Sequence, residues 1–245
     1  GKTGAFSVPD EVTRIYYHSF NGCKSLTSVT MPNSVTAIEY GAFDGCTSLT
    51  SVTMPDGISS ISDGAFRNCT SLTSVTIPDS VTELNNHLFD GCTSLTSVTI
   101  HDGVTYIDED AFSRCTSLVS LTIPDSVTDI EYGVFWGCTS LTAINVDEGN
   151  NTYKSIDGIL YSKDGRSLIL CPAGKTGEVT ISDIVTQIDD DAFEECPYVT
   201  AINVDEGNNT YKSIEGLLYL SNGKELLICP GGKTGEVNIP QGVNH

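Results

Sequence analysis

The chain has 245 residues, with 32 acidic against 12 basic side chains and a formal net charge of −20. A surface of that sign repels phosphate at long range and carries few of the Lys and Arg groups that release counterions, which excludes nucleic acid and a bare anionic membrane as main partners. At 39% apolar and 18% charged residues the chain buries a core. No apolar run approaches the roughly 18 residues of a spanning helix, so a soluble chain with no direct membrane insertion is expected.

Gly1-Lys2-Thr3-Gly4 returns as Gly174-Lys175-Thr176-Gly177 and as Gly232-Lys233-Thr234-Gly235, so residues 1–7 read as a partial first module. Thereafter Cys23, Cys46, Cys69, Cys92, Cys115 and Cys138 follow at a fixed interval of 23. Such a period marks a solenoid whose units cannot bury their apolar faces alone and must stack on one another. Phe20, Phe43, Phe66, Phe89, Phe112 and Phe135 fill one column of the stack, and Leu26, Leu49, Leu72, Leu95, Leu118 and Leu141 another.

Within one unit, Leu49-Thr50-Ser51-Val52-Thr53-Met54-Pro55 predicts a strand with Val52 and Met54 inward and Ser51 and Thr53 outward, ended by a proline that has no N–H to donate. Val35-Thr36-Ala37-Ile38 predicts a second short strand. Gly41-Ala42-Phe43-Asp44-Gly45-Cys46 is expected to form a single helical turn closed by glycine.

These repeats occupy residues 1–146, and after Val146 the period breaks. The segment 147–180 is expected to be a β-rich insert, 181–204 a further repeat, 205–238 a second copy of the insert, and 239–245 the start of a truncated repeat. Asp164-Gly165 and Asn222-Gly223 mark hairpin turns in the two inserts. With no capping unit at either end, the sequence reads as a piece excised from a longer protein.

A unit such as Ile77-Pro78-Asp79-Ser80-Val81-Thr82 continuing through Leu88-Phe89-Asp90-Gly91-Cys92-Thr93-Ser94-Leu95-Thr96-Ser97-Val98 resembles the BspA-like class of leucine-rich repeats. The resemblance implies an α/β repeat solenoid, a right-handed superhelix with a parallel concave β-sheet, short helical turns on the convex side and two inserts containing β-hairpins. It also implies an extracellular or cell-surface setting and adhesion to a host or microbial protein or glycoprotein, but it identifies no ligand.

Equivalent side chains in a column point the same way, so the cysteines are expected to form a ladder of small buried thiols rather than disulfides. His18, His87, His101 and His245 belong to no motif, and no nucleophile elbow, zinc-protease, P-loop or dinucleotide fingerprint occurs. No enzyme, cofactor or metal site is therefore expected. The acidic clusters Asp108-Glu109-Asp110 and Asp189-Asp190-Asp191 read as solvated faces.

Two surfaces remain as binding candidates. Ser51, Thr53, Ser74, Thr76, Ser97 and Thr99 are the outward ranks of the concave sheet, where serine and threonine could equally pair with one another and serve only solubility. Tyr132 and Trp136, four residues apart, would form a convex aromatic patch if the turn were helical. The chain is expected to be a monomeric, non-enzymatic binding module, the alternative being a structural spacer with no ligand of its own.

Overall fold

The computed structural model describes residues 3–237. The truncated repeat expected at 239–245, with His245, and the first two residues of the partial module lie outside the described residues. The chain divides into two compact units, Gly1–Leu141 with Val146–Thr152, and Thr142–Asn145 with Tyr153–His245.

The first unit is a repeat solenoid of parallel strands. Thr3–Ser7, Ser25–Thr30 and Ser51–Thr53 form one parallel ladder, and Ser74–Thr76 pairs with Ser97–Thr99 in another. In Ser28↔Ser51, Val29↔Val52 and Ser74↔Ser97 each residue sits opposite its equivalent one period away. A second set of short strands lies at the corner: Arg14–Ile15, Ala37–Ile38 and Ser60–Ile61, then Glu83–Leu84, Tyr106–Ile107 and Asp129–Ile130.

Each period contributes one residue to every core column. Leu49, Leu72, Leu95, Leu118 and Leu141 are fully buried, as are Phe43, Phe66, Phe89 and Phe112. The phenylalanine rings stack almost parallel, at centroid separations of 5.0, 5.3, 5.7, 5.7 and 5.9 Å from Phe20 to Phe135. Parallel pairing in register produces this directly, because it places identical side chains about 5 Å apart.

The helical turn expected at 41–46 does not form, and the described residues contain no helix. Residues 41, 43 and 45 donate their N–H groups to the next repeat, to Asp63, Ala65 and Arg67 carbonyls at 3.1, 2.8 and 2.8 Å. Residues 42, 44 and 46 instead close turns three residues back, onto Glu39, Gly41 and Phe43. A helix needs all of these donors for carbonyls four residues back, so the ladder between repeats excludes it. The backbone also passes through the left-handed region at both ends of the segment, with φ of +56° at Gly41 and +72° at Gly45.

The second unit combines parallel and antiparallel pairing. Tyr153–Ile156, Ile159–Ser162 and Ser167–Leu170 are antiparallel neighbours, and Ser167–Leu170 then pairs in parallel with Gln187–Ile188. Gly177–Ile181 lies parallel to Val199–Val204, while Tyr211–Ile214, Leu217–Leu220 and Leu226–Ile228 repeat the antiparallel pattern. Ile159, Tyr161, Leu168, Val179, Ile181 and Phe193 are among its core residues. Beyond the Asp164-Gly165 turn, the antiparallel segment reverses at Asp157-Gly158, with φ of +52° and +76°. The Lys175 ammonium fastens that turn, donating to the Asp157 carbonyl at 2.5 Å and to its carboxylate at 2.7 Å. Lys233 reaches the Glu215 carbonyl in the corresponding place.

Candidate binding surface

The strand alternation fixes the outward ranks. In Ser74–Thr76 the central Val75 is buried, which turns both hydroxyl residues outward, and Ser51, Thr53, Ser74, Thr76, Ser97 and Thr99 are all exposed. None of these six side chains hydrogen-bonds to another group among the described residues. Other hydroxyl ranks are used internally: Thr50 and Thr96, just before their strands, donate to the Thr27 and Thr73 carbonyls at 3.0 and 3.1 Å. Thr36, Thr105 and Thr128 do the same at the corner. The serine and threonine ranks of the strands thus leave their donors and acceptors facing solvent, and no charged side chain interrupts them within Ser51–Thr53, Ser74–Thr76 or Ser97–Thr99.

Tyr132 and Trp136 are both exposed, at 60% and 49%. The helical adjacency expected for them does not apply, since left-handed Gly133 and Gly137 at φ +70° and +71° replace the helix with linked turns. A denser aromatic group stands at the other end of the unit, where Tyr16 and Tyr17 have ring centroids 6.0 Å apart and His18 meets Tyr40 edge-on at 5.2 Å. Tyr17, Tyr40 and Tyr132 fall at one position of the 23-residue period, and Tyr16 and His18 flank the first of them in the chain.

Two buried polar features were not legible from the sequence. Asp90, only 2% exposed, receives Arg114 in a two-pronged contact at 2.9 and 2.7 Å, and Arg67 approaches the same carboxylate at 3.5 Å. Asn21, Asp44, Arg67 and Asp90 share one column of the turn, so the repeat itself alternates their chemistry along the stack. Asn150 is fully buried and donates to the Pro124 and Val127 carbonyls at 2.7 and 2.9 Å while accepting from the Thr152 N–H. Asn208 makes the equivalent bonds to Ser182 and Val185. The signal for these asparagines is their place in the duplicated Asp-Glu-Gly-Asn-Asn segment, at 147–151 and 205–209.

None of the nine cysteines forms a disulfide in this structure. Each thiol from Cys46 to Cys138 donates to the carbonyl of the phenylalanine 26 residues earlier, at 3.0 to 3.3 Å. Among the described residues no group of three or more His, Cys, Asp or Glu side chains is arranged to hold a metal ion, and no helix is long and apolar enough to cross a membrane.

A family model described as BspA type leucine rich repeat region, in six copies, matches residues 2–92, 59–157 and 173–220. Among solved structures, the chain is similar to the pneumococcal vaccine antigen PcpA, with a TM-score of 0.72 and 23% identity over 84% of this chain and 56% of that one. It is also similar to a leucine-rich cell surface protein from Faecalibacterium prausnitzii, with a TM-score of 0.66 and 30% identity over 83% of this chain and 63% of that one. A leucine-rich repeat protein from Eubacterium ventriosum gives 0.54 and 26% over 85% of this chain and 55% of that one. The chain thus spans less than two thirds of the length of these three structures. No curated protein matches it.

Proposed function

The chain belongs to the BspA-type leucine-rich repeat family, and from that premise we propose that it is a non-enzymatic, extracellular module of a cell-surface protein that adheres to a protein or glycoprotein. The reading includes a right-handed array with the hydroxyl ranks on its concave face, and it takes the two antiparallel segments at 147–180 and 205–238 as inserts between repeats. The cell-surface setting is supported by the family and by the F. prausnitzii protein that shares 30% identity.

The observation that carries the binding face is the set of unpaired hydroxyls at Ser51, Thr53, Ser74, Thr76, Ser97 and Thr99 on strands free of charge, in a chain of net charge −20. A partner docking there meets donors and acceptors without having to strip ions, so its desolvation cost stays low. The exposed Tyr132 and Trp136 support a second contact area, since aromatic side chains concentrate interface energy.

An array of immobilised host and microbial glycoproteins, probed with this chain and with a charge-matched repeat protein, tests the reading. Binding confined to this chain is the expected result. Equal signals from the two proteins, or none, would favour a spacer whose only task is to hold another domain at a distance.

A further inference from the structure

One column of the turn, formed by residues 18, 41, 64, 87, 110 and 133, lies wholly in the left-handed region, with φ between +54° and +70°. Histidine occupies it at 18 and 87, and glycine at 41 and 64. The imidazole of His18 fills the space above Gly41, where an added Cβ would lie 2.8 Å from the ring. Above Gly64 no such side chain intervenes, and a Cβ there would meet only Arg67, at 3.6 Å. The missing side chain leaves a notch of about 80 Å³, walled by Tyr40, Asp44, Asp63, Arg67, Asn86 and His87.

The lining is mixed. Tyr40 is half-exposed, with its ring held edge-on by His18. Asp63 is exposed at the rim, and the Asp44 carboxylate is oriented by Asn21 and Asn68 at 3.4 and 3.2 Å. Arg67 Nε and His87 Nδ1 are buried and make no hydrogen bond, their nearest carboxylate oxygens standing at 3.5 and 3.6 Å. Such a wall selects by exclusion. An anion meets two carboxylates and a strongly negative molecule, a purely cationic group brings no acceptor for the unsatisfied Arg67 guanidinium, and an apolar ligand strands every polar group it covers. A neutral polyol presents donors and acceptors together, and a sugar ring adds a face of C–H groups that packs on an aromatic ring.

We propose that this notch is a binding site for a neutral hexose at the end of a glycan, with the ring face on Tyr40 and the hydroxyls directed to Asp44, Asp63, Arg67 and Asn86. The site lies on the turns, apart from the strand ranks, and its assignment goes beyond the sheet-face reading and does not rest on it.

Saturation-transfer difference NMR on the whole chain, with the methyl glycosides of glucose, galactose and mannose and with N-acetylneuraminic acid, tests the proposal. Expected is transfer to at least one neutral glycoside, weakened about tenfold in Tyr40→Ala and in Asn86→Ala, the loss of one stacked ring or one hydrogen-bonding partner. Tyr198→Ala, an exposed tyrosine away from the notch, should leave it unchanged. Thermal melts of the three variants identify any that fails to fold, and two independent notch variants keep the comparison open if one does. No transfer to any neutral glycoside, transfer indifferent to both notch variants, or transfer to the anionic sugar alone would overturn it. Ser74→Arg on the sheet face should leave the glycoside signal intact, so the two sites fail separately.

Discussion

A phenylalanine placed every 23 residues stacks its ring on both neighbours, so truncating one opens a cavity that two repeats line. Phe66, fully buried between Phe43 at 5.3 Å and Phe89 at 5.7 Å, is the sharpest case. Phe66→Ala should cost roughly 3 to 5 kcal/mol, while Ser74→Ala, at an exposed position without partners, should cost less than about 0.5 kcal/mol. Chemical denaturation measures both, and similar losses at the two positions would mean that Ser74 does not stand at an outward, unpartnered position. The cysteines make a second test. Burial pushes the Cys46 thiol up to about 12, and burial with neighbouring thiols pushes Cys69, Cys92 and Cys115 well above the ordinary value of 9.0. The folded thiols keep their protons where unfolded thiols lose them. This contribution is therefore fully present below about pH 9 and is lost as the pH climbs toward the folded values, by up to about 1.4 kcal/mol per thiol per pH unit. Melting temperature should be steady through neutral pH and fall steeply above about pH 9; a flat profile through that range would contradict buried thiols.

At the scale of the element, the repeat reads as strand, corner strand and turn. The strand pattern at Leu49–Pro55 and the corner at Val35–Ile38 were legible because alternation and β-branching report local preference. The turn was misread because the Gly-Ala-Phe-x-Gly segment satisfies its N–H groups across repeats, a pairing that no window of a single repeat contains. The left-handed backbone at residues 22, 45, 68, 91, 114 and 137 is the trace of that arrangement, with Asn68 and Arg114 standing where four glycines otherwise do. Gly91 has φ +73°, and a Cβ there would lie 2.6 Å from the Asn68 side chain. Gly91→Ala should cost about 1 to 2 kcal/mol, whereas Gly57→Ala, with ordinary φ and a Cβ contact at 3.6 Å, should change stability by less than about 0.5 kcal/mol. Equal costs measured by thermal unfolding would remove the backbone explanation. The same limit hid the first reversal of each antiparallel segment. Asp164-Gly165 announces itself as a turn, but Asp157-Gly158 and Glu215-Gly216 sit inside a run that also reads as extended, and their lysine clamps come from 18 residues away.

For the whole molecule, the net charge of −20 sorts by position rather than covering the surface evenly. Acidic side chains occupy corners and turns, at Asp56, Asp79, Glu109 and Asp129 among others, and Asp90 is drawn inward by two arginines. The first unit's central strands, Ser51–Thr53, Ser74–Thr76 and Ser97–Thr99, carry none. Repulsion between copies then discourages edge-to-edge association of the sheets while the hydroxyl ranks stay available to a ligand. These ranks were legible from the period alone. The notch beside Tyr40 was not, because it arises from two glycines in a left-handed column that the sequence presents only as spacing. The most direct test of the binding face is the affinity of the double variant Ser74→Arg with Ser97→Arg for a glycoprotein captured by the unmodified chain, read by biolayer interferometry beside its melting temperature. An unchanged melting temperature with binding reduced at least about a hundredfold is the predicted result, as a bulky charge in the centre of an interface costs several kcal/mol. Undiminished binding would place the contact elsewhere on the molecule and contradict the sheet as the adhesive face.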